Sequence, residues 1–192
     1  MIKNVAFILL FLLNLLPGCR KKYPQVVMKT PYGDIVVEIY TDKAPVTAAN
    51  FLRYVDEHRY RDAVFYRVVT PDNQPHNKVK IEVIQGGLLR EDHPAMLPHI
   101  PHETTAMTGL RHLDGTLSMA RDAPGTASSE FFICVGDQPE LDYGGRRNPD
   151  GQGFAAFGRV IRGMEVVRKI QHLPEKKQML VHPVKITMEK LK

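Results

Sequence analysis

One arginine interrupts an apolar, strand-like run, and it is the residue from which most chemistry can be argued. Residues 65–69 are Phe-Tyr-Arg-Val-Val, so Arg67 has apolar or aromatic neighbours on both sides. A guanidinium stays protonated at any physiological pH and offers several donors in a rigid fork. It is therefore suited to stabilising a lone pair or a developing charge rather than to moving protons. The alternative is a surface arginine on the outer face of a strand, as ordinary strand alternation would produce.

The other reactive groups form no recognisable catalytic or metal-binding pattern. No serine stands in a G-x-S-x-G turn, which argues against a hydrolase. The histidines near residue 100 lie among prolines at spacings typical of no metal site, so we expect neither a metal nor another cofactor. The two cysteines imply no disulfide framework. The residues to which we assign no catalytic or metal-binding role on these grounds are His93, His99, His102, Glu103, Ser118, Ser128, Ser129 and Cys134.

The segments that must position Arg67 are mostly short and rich in β-branched residues. Residues 26–30 and 35–40 predict a hairpin around a Pro-Tyr-Gly-Asp turn. Further strands are predicted at 64–69, 79–85, 115–120, 130–135, 156–161 and 184–191. Pro45 begins a predicted helix with apolar residues at helical spacing, and a second helix is predicted over 164–170. This pattern predicts a mainly β fold, a closed antiparallel barrel of eight strands capped by two helices.

Several of these segments occur in the order found in one known family. They are residues 43–51, 65–69, 85–87, 115–120, 129–133 and 157–160. From about Val26 to Leu191, the chain resembles the cyclophilin-type peptidyl-prolyl cis/trans isomerases. The resemblance implies a cyclophilin-like barrel that accelerates X–Pro bond rotation without a cofactor. The alternative is a binding module that holds proline-containing segments with little turnover, because Glu82, Glu130 and Glu140 depart from the family pattern.

The implied reaction requires no covalent chemistry. Rotation about an X–Pro amide is slow because twisting breaks amide resonance, with a barrier of about 18–20 kcal/mol. An enzyme must therefore bind the twisted amide better than the planar one. Twisting gives the prolyl nitrogen a lone pair, so a fixed cation aimed at that nitrogen acts mainly in the transition state.

The resemblance also implies roles for individual residues. Arg67 would be the electrostatic catalyst, and Gln85 of the Gln-Gly-Gly segment would orient it. Without the family, Gln85 is simply a polar residue at a strand end before a Gly-Gly turn. The substrate-binding residues implied in the same way are Val83, Ala120, Arg121, Glu130, Phe132, Leu141 and Phe154. Phe131 is expected in the core, since consecutive strand residues face opposite sides.

Two charged residues replace uncharged ones of the family pattern. Glu130 stands where glutamine is usual, and Arg121 stands where many relatives have asparagine. A carboxylate paired with Arg67 would reduce the positive field of that guanidinium. We expect Glu130 to form its ion pair with Arg121 instead.

Two further departures concern the edge of the site. Glu140 replaces an aromatic residue and the chain has no Trp, so weak cyclosporin binding is expected. The segment 70–80 is longer than the corresponding segment of compact relatives. It leads into the site shortly before Gln85 in the sequence. Its prolines and asparagines predict a loop, which either restricts the substrates that enter or is a tolerated surface insertion.

The first residues are typical of an export signal. Residues 5–16 are almost wholly apolar, which is too short a stretch to span a membrane comfortably and is typical of a signal peptide. The Leu-Pro-Gly-Cys ending at Cys19 resembles a bacterial lipobox, which implies a lipid on that thiol; an ordinary cleaved signal with a chance cysteine is the alternative. The expected organisation is a lipoprotein signal peptide at 1–18, a lipidated cysteine and tether at 19–25, and an isomerase domain at 26–192.

Composition and charge limit the classes of partner. With 43% hydrophobic and 24% charged residues, the chain can bury one sizeable globular core. The net charge of +5 is scattered rather than concentrated on a stripe with aromatics, so a nucleic-acid partner is not expected. We expect a monomer that binds proline-containing polypeptides. Its lipid would attach it to a membrane of the bacterial cell envelope, facing the periplasm.

Overall fold

One antiparallel sheet accounts for most regular structure in the computed structural model, which describes residues 23–90 and 92–191. The strands are β1 Gln25–Thr30, β2 Gly33–Ile39, β3 Val64–Val69, β4 Val83–Gly87, β5 Thr116–Met119, β6 Phe131–Cys134, β7 Ala155–Arg162, β8 Glu175–Lys176, β9 Met179–Lys185 and β10 Thr187–Lys190. Their order in the sheet is β10-β1-β2-β7-β5-β6-β4-β3-β9-β8. The helices are α1 Pro45–Asp56, α2 Thr105–Thr108 and α3 Met164–Gln171. Among these residues, no helix combines the length and apolar character needed to cross a membrane.

The mainly β fold is confirmed, but the element counts and the closure differ from the prediction. The sequence predicts eight strands in a closed barrel with two helices, whereas the described residues form ten strands and three α-helices. The segment predicted as one strand over 184–191 divides at Ile186, whose N–H donates to the carbonyl of Ala63. The part before Ile186 pairs with β3 and the part after it pairs with β1. At Ile186 the backbone therefore connects β9, near one end of the sheet, to β10, at the other end. Within the described residues, no hydrogen-bonded strand pair joins the two ends of the sheet into a closed barrel.

The apolar residues form two clusters of unequal size. The larger cluster takes side chains from every strand except β8 and from α1 and α3, and aromatic rings such as Phe51, Phe131 and Phe157 pack in it. The smaller cluster consists of Val69, Ile81, Val83, Phe132, Cys134 and Leu141. Because neighbouring residues on β4 and β6 belong to different clusters, the two clusters lie on opposite faces of the sheet.

The long helix α1 owes its N-terminal cap to a distant residue. The Glu103 carboxylate accepts hydrogen bonds from the backbone N–H groups of Val46 and Thr47 and from the Thr47 hydroxyl. Glu103 is buried, and its negative charge lies at the positive end of the helix dipole. Glu103 thus anchors the helix to the chain that leads into α2.

Candidate active site

A β-bulge in β3 brings Arg67 to the face of the smaller cluster. The register of β3 against both β4 and β9 shifts between Phe65 and Arg67. Phe65 and Val68 belong to the large core, whereas Tyr66 and Arg67 both line a cavity on the other face. Strict alternation from Phe65 would direct Arg67 into the core. The extra residue at the bulge re-aims the guanidinium toward the cavity.

Two glutamines hold the guanidinium of Arg67. Its Nη1 donates to Gln85 Oε1 over 2.8 Å. Its Nε and Nη2 both donate to Gln178 Oε1, at 3.0 and 2.6 Å. Burial lowers the pKa of Arg67, but an arginine retains its charge in proteins. The side chain is therefore a fixed, partly desolvated cation, and Gln85 lies where the resemblance places an orienting residue.

The hydrogen bonds continue from Gln85 to a carboxylate. Gln85 Nε2 donates to Tyr66 Oη over 2.7 Å, and the Tyr66 hydroxyl donates to Glu130 Oε2 over 2.6 Å. Burial, together with the negative charge of Glu130, raises the pKa of Tyr66 well above its usual range, so the hydroxyl remains protonated. We call this series the relay: Arg67, Gln85, Tyr66 and Glu130. It connects the cation to an anion through two neutral groups.

The expected ion pair between Glu130 and Arg121 does not form. Glu130 instead accepts from Tyr66, from the N–H of Leu89 and from the Ser129 hydroxyl. Gly87 makes this position possible: with φ at +148°, a Cβ there would lie 2.5 Å from Glu130 Oε1. The second glycine of Gln-Gly-Gly thus leaves space for the carboxylate that ends the relay.

Arg121 is engaged on the opposite side of the cavity. Its Nη1 and Nη2 form a two-pronged pair with Asp150 at 2.8 and 2.9 Å, and its Nε and Nη2 donate to the Gly153 carbonyl. A further bond to the Asp122 carbonyl occupies the remaining donor. The guanidinium carbon lies 5.3 Å from the centroid of the Phe154 ring. Arg121 thus anchors the loop before Phe154 and has no N–H left to offer a peptide.

All the predicted catalytic and substrate-binding residues line one cavity of about 770 Å³. Its apolar wall comes from the smaller cluster, where Phe132 and Phe154 meet edge to face with centroids 5.2 Å apart. Ile81, which the sequence analysis missed, completes this wall. The remaining predicted lining residues are Val83, Ala120 and Leu141, together with the charged and polar Arg67, Gln85, Arg121 and Glu130. An apolar hollow with a fixed cation at its wall suits a proline ring and the amide that precedes it.

A buried polar row packs against Phe132. The His112 ring stacks on the Phe132 ring with centroids 5.9 Å apart and an interplanar angle of 17°. His112 Nδ1 lies 2.7 Å from Asp142 Oδ1, and its Nε2 lies 2.9 Å from Ser118 Oγ. Ser118 is fully buried and lies outside the cavity lining. The row therefore fixes the orientation of the imidazole and, through stacking, the position of Phe132.

The 70–80 segment is a loop, as predicted, but it shortens the strand that follows. The structure begins β4 at Val83, whereas the sequence predicts a strand from residue 79. The side chain of Gln74 accepts from the N–H of Ile81 and donates to its carbonyl, so that backbone is bonded to a side chain rather than to a ladder. Arg147 Nη1 donates to Gln74 Oε1 and to the Val79 carbonyl. Arg147 thus connects this loop to the 142–153 loop.

Two of the residues that depart from the family pattern do not line the cavity. Glu140 pairs with exposed Arg146 and does not line the cavity. Glu82 accepts a hydrogen bond from Gln171 and is likewise outside the lining. Neither carboxylate therefore enters the apolar part of the site.

Sequence reasoning missed Tyr66, Arg147 and Gln178. Tyr66 stands beside Arg67, but strand alternation does not predict that both side chains reach the cavity. Arg147 lies in a loop whose sequence gives no direction for its side chain. Gln178 is more than a hundred residues from Arg67, with only its polar side chain as a signal. The predicted lipidation site, Cys19, lies outside the described residues.

Comparisons with known proteins identify the family to which the chain belongs. Residues 25–190 match the family model of the cyclophilin type peptidyl-prolyl cis-trans isomerase/CLD family. A peptidyl-prolyl cis-trans isomerase of Acinetobacter baylyi is 37% identical over 175 residues, which cover 91% of this chain and 85% of the relative. Peptidyl-prolyl cis-trans isomerase B of Escherichia coli is 37% identical over 147 residues, covering 76% and 83%.

A solved structure shows the same fold. A cyclophilin-type peptidyl-prolyl cis-trans isomerase of Cryptosporidium parvum superposes with a TM-score of 0.69 at 21% identity, covering 88% of this chain and 98% of that one. The family model spans nearly all the described residues, and the bacterial relatives exceed 30% identity over most of their length. The chain therefore belongs to the cyclophilin family and is a peptidyl-prolyl cis-trans isomerase.

Proposed function

We propose that this isomerase acts on exported proteins and that Arg67 is its electrostatic catalyst. The proline ring occupies the apolar wall around Phe132 and Leu141, which leaves the preceding carbonyl free to rotate. As the amide twists, its nitrogen gains a lone pair and becomes an acceptor for the Arg67 guanidinium. This interaction is absent from the planar ground state, so it lowers the barrier rather than only tightening binding.

The observation that carries this proposal is the fixation of one cation at the wall of an apolar cavity. Arg67 is bonded on one side to Gln85 and on the other to Gln178. Both partners accept through amide oxygens, which hold the guanidinium without cancelling its charge. A donor oriented in advance costs no reorganisation when the amide twists.

An activity assay on the full chain in detergent tests this role. We expect Arg67→Ala to lower kcat/KM for an Ala-Pro peptide about a hundredfold in a protease-coupled assay. Arg162→Ala removes an exposed arginine of β7 and is the matched control, expected to retain activity. Equal activity of wild type and Arg67→Ala would refute the catalytic role. Binding of the peptide by wild type without turnover would instead favour the binding module.

The proposed setting is the bacterial cell envelope. Its support is the sequence: a short apolar run followed by the lipobox-like Leu-Pro-Gly-Cys that ends at Cys19. Two or more acyl chains on that cysteine would give stable anchoring, whereas one chain gives only marginal binding. The tether to residue 25 would then hold the isomerase domain, as a monomer, close to the periplasmic membrane surface, where exported chains fold.

Metabolic labelling tests the anchor. Cells expressing the full chain are grown with radioactive palmitate, and the protein is recovered from the membrane fraction. We expect the label in wild type and its loss in Cys19→Ala. A labelled Cys19→Ala protein, or an unlabelled wild type, would contradict lipidation at this residue.

A further inference from the structure

Two arginines that line the cavity lack a carboxylate partner within the described part of the chain. Among the residues that the structure describes, the other arginines of the lining are neutralised: Arg90 pairs with Asp92 and Arg121 pairs with Asp150. Within the same residues, no carboxylate lies within ion-pair distance of Arg67 or Arg147.

The two unpaired guanidiniums influence one another. Burial lowers the pKa of Arg147, and the nearby charge of Arg67 lowers it further. Holding two like charges in a partly desolvated site is unfavourable unless a negative group compensates them. Glu130 is committed to Tyr66 at the far end of the relay, so it does not provide this compensation.

The protein nevertheless fixes Arg147 in this position. Its Nη1 donates to Gln74 Oε1 at 3.0 Å and to the Val79 carbonyl at 2.7 Å. Both acceptors are neutral, so an uncharged donor could make the same two hydrogen bonds. The connection between the loops therefore does not explain why residue 147 carries a positive charge. The charge and the remaining donors of the guanidinium are available to a ligand in the cavity.

We propose that Arg147 binds a carboxylate of the substrate, so that the enzyme prefers X–Pro segments with a carboxylate adjacent to the proline. This inference rests on the proposed function, since it takes Arg67 to face the prolyl amide. Arginine suits the role because its planar fork matches a carboxylate with two parallel hydrogen bonds. Arg147 is then a specificity-determining residue rather than a catalytic one.

The test compares peptides by NMR exchange spectroscopy, which needs no coupling protease. The probes are a capped, neutral Ala-Ala-Pro-Ala peptide and two capped variants with Glu directly before or directly after proline. A fourth peptide ends at proline with a free carboxylate, which separates a terminal carboxylate from an acidic side chain. With the full chain in detergent, we expect kcat/KM to be about fivefold higher for at least one acidic peptide than for the neutral one.

Variants separate charge from structure. Arg147→Gln retains a donor for the loop contacts but removes the charge, so the acidic-to-neutral ratio should fall to about one. Arg146→Gln changes the exposed neighbouring arginine and should keep the wild-type ratio. If Arg147→Gln does not fold, the wild-type ratio decides: it should decline in 1 M NaCl, because salt screens the attraction.

Each contrary outcome is distinct. No preference for an acidic peptide by wild type, with normal turnover of the neutral peptide, overturns this inference and leaves the proposed function standing. An equal loss on all peptides in Arg147→Gln assigns the residue to the loop connection alone. No turnover of any peptide by wild type would overturn the proposed function as well.

Discussion

At the scale of single residues, the site depends on how one cation is held. Arg67 reaches the cavity because of a bulge, and neutral amides hold it in place. Of its partners, Gln85 is connected through Tyr66 to Glu130. Hydrogen bonds in such a series polarise one another, so the orientation of Gln85 depends on groups that never touch the substrate.

Breaking the relay should reduce turnover more than binding. Tyr66→Phe leaves Gln85 Nε2 without its acceptor, and Glu130→Gln removes the anion that ends the series. We expect Tyr66→Phe to lower kcat about three- to tenfold with little change in KM. Glu130→Gln should change kcat, because it removes the anion that ends the relay. Equal kcat values of wild type and Glu130→Gln would count against this role.

Sequence reasoning succeeded for residues whose neighbours belong to a motif and failed for those brought in from elsewhere. Arg67, Gln85 and Phe132 were predicted from contiguous segments, and all three line the cavity. The expected Glu130–Arg121 pair was wrong because Asp150, on a turn-rich loop, takes both donor prongs of Arg121. A long-range pairing of this kind leaves no periodic signal in the sequence.

At the scale of elements, hairpins and loops supply the groups that orient Arg67. The turn between β8 and β9 consists of Lys177 and Gln178, with φ of +51° and +72°. Such two-residue turns normally contain Asn or Gly, so turn chemistry does not predict this hairpin. The β-branched segments, by contrast, predicted β1 to β3 closely. Gln178 contacts the Arg67 guanidinium, and backbone strain of this kind is common at functional sites.

Glycine substitution in this turn should isolate the contribution of the Gln178 side chain. Both Lys177→Gly and Gln178→Gly place glycine at a positive φ that it adopts readily. Only Gln178→Gly removes the acceptor of two hydrogen bonds from Arg67, so its kcat should fall about tenfold while Lys177→Gly remains near wild type. The assay is isomerisation at saturating peptide. An equal fall in both variants would indicate that the turn itself, and not the side chain, matters.

The 142–153 loop should loosen in acid through Asp150. Its bonds to Arg121 lower the pKa of Asp150 to about 2, below that of an unfolded aspartate near 3.8. A lowered folded-state pKa stabilises the fold above the unfolded pKa, and this contribution is lost as pH falls from about 4 toward 2. Asp150→Asn should therefore be less stable than wild type at pH 7, with the difference in Tm shrinking below pH 4. Thermal unfolding followed by circular dichroism measures it, and a difference that is constant from pH 7 to pH 2 would contradict this assignment.

At the scale of the whole molecule, one sheet separates the large apolar core from the smaller cluster that lines the cavity. Consecutive residues of β6 illustrate the division: Phe131 packs with rings of the large core, and Phe132 forms the cavity wall. Strand alternation predicted this division from the sequence. The count of strands and the closure were not predictable in the same way, because they depend on where the last strand changes partner at Ile186.

Leucine substitutions should separate stability from activity across this sheet. Phe131→Leu removes ring contacts from the large core and should lower the free energy of unfolding by about 1–3 kcal/mol. Its activity per folded molecule should remain near wild type. Phe132→Leu should instead lower kcat/KM by more than Phe131→Leu does, because it reshapes the apolar wall of the cavity. Urea unfolding and initial rates provide the two readouts, and a larger loss of kcat/KM in Phe131→Leu than in Phe132→Leu would refute the division.

The most direct test of the account is whether Arg67 acts on the twisted amide more than on the bound peptide. An NMR titration of Arg67→Ala with an Ala-Pro peptide gives both the Kd and the cis/trans exchange rate on the saturated enzyme. We predict an exchange rate about a hundredfold below wild type, with Kd changed less than threefold. An unchanged exchange rate at saturation, with a Kd that rises in proportion to the lost activity, would show that Arg67 only binds the substrate and would contradict the central claim.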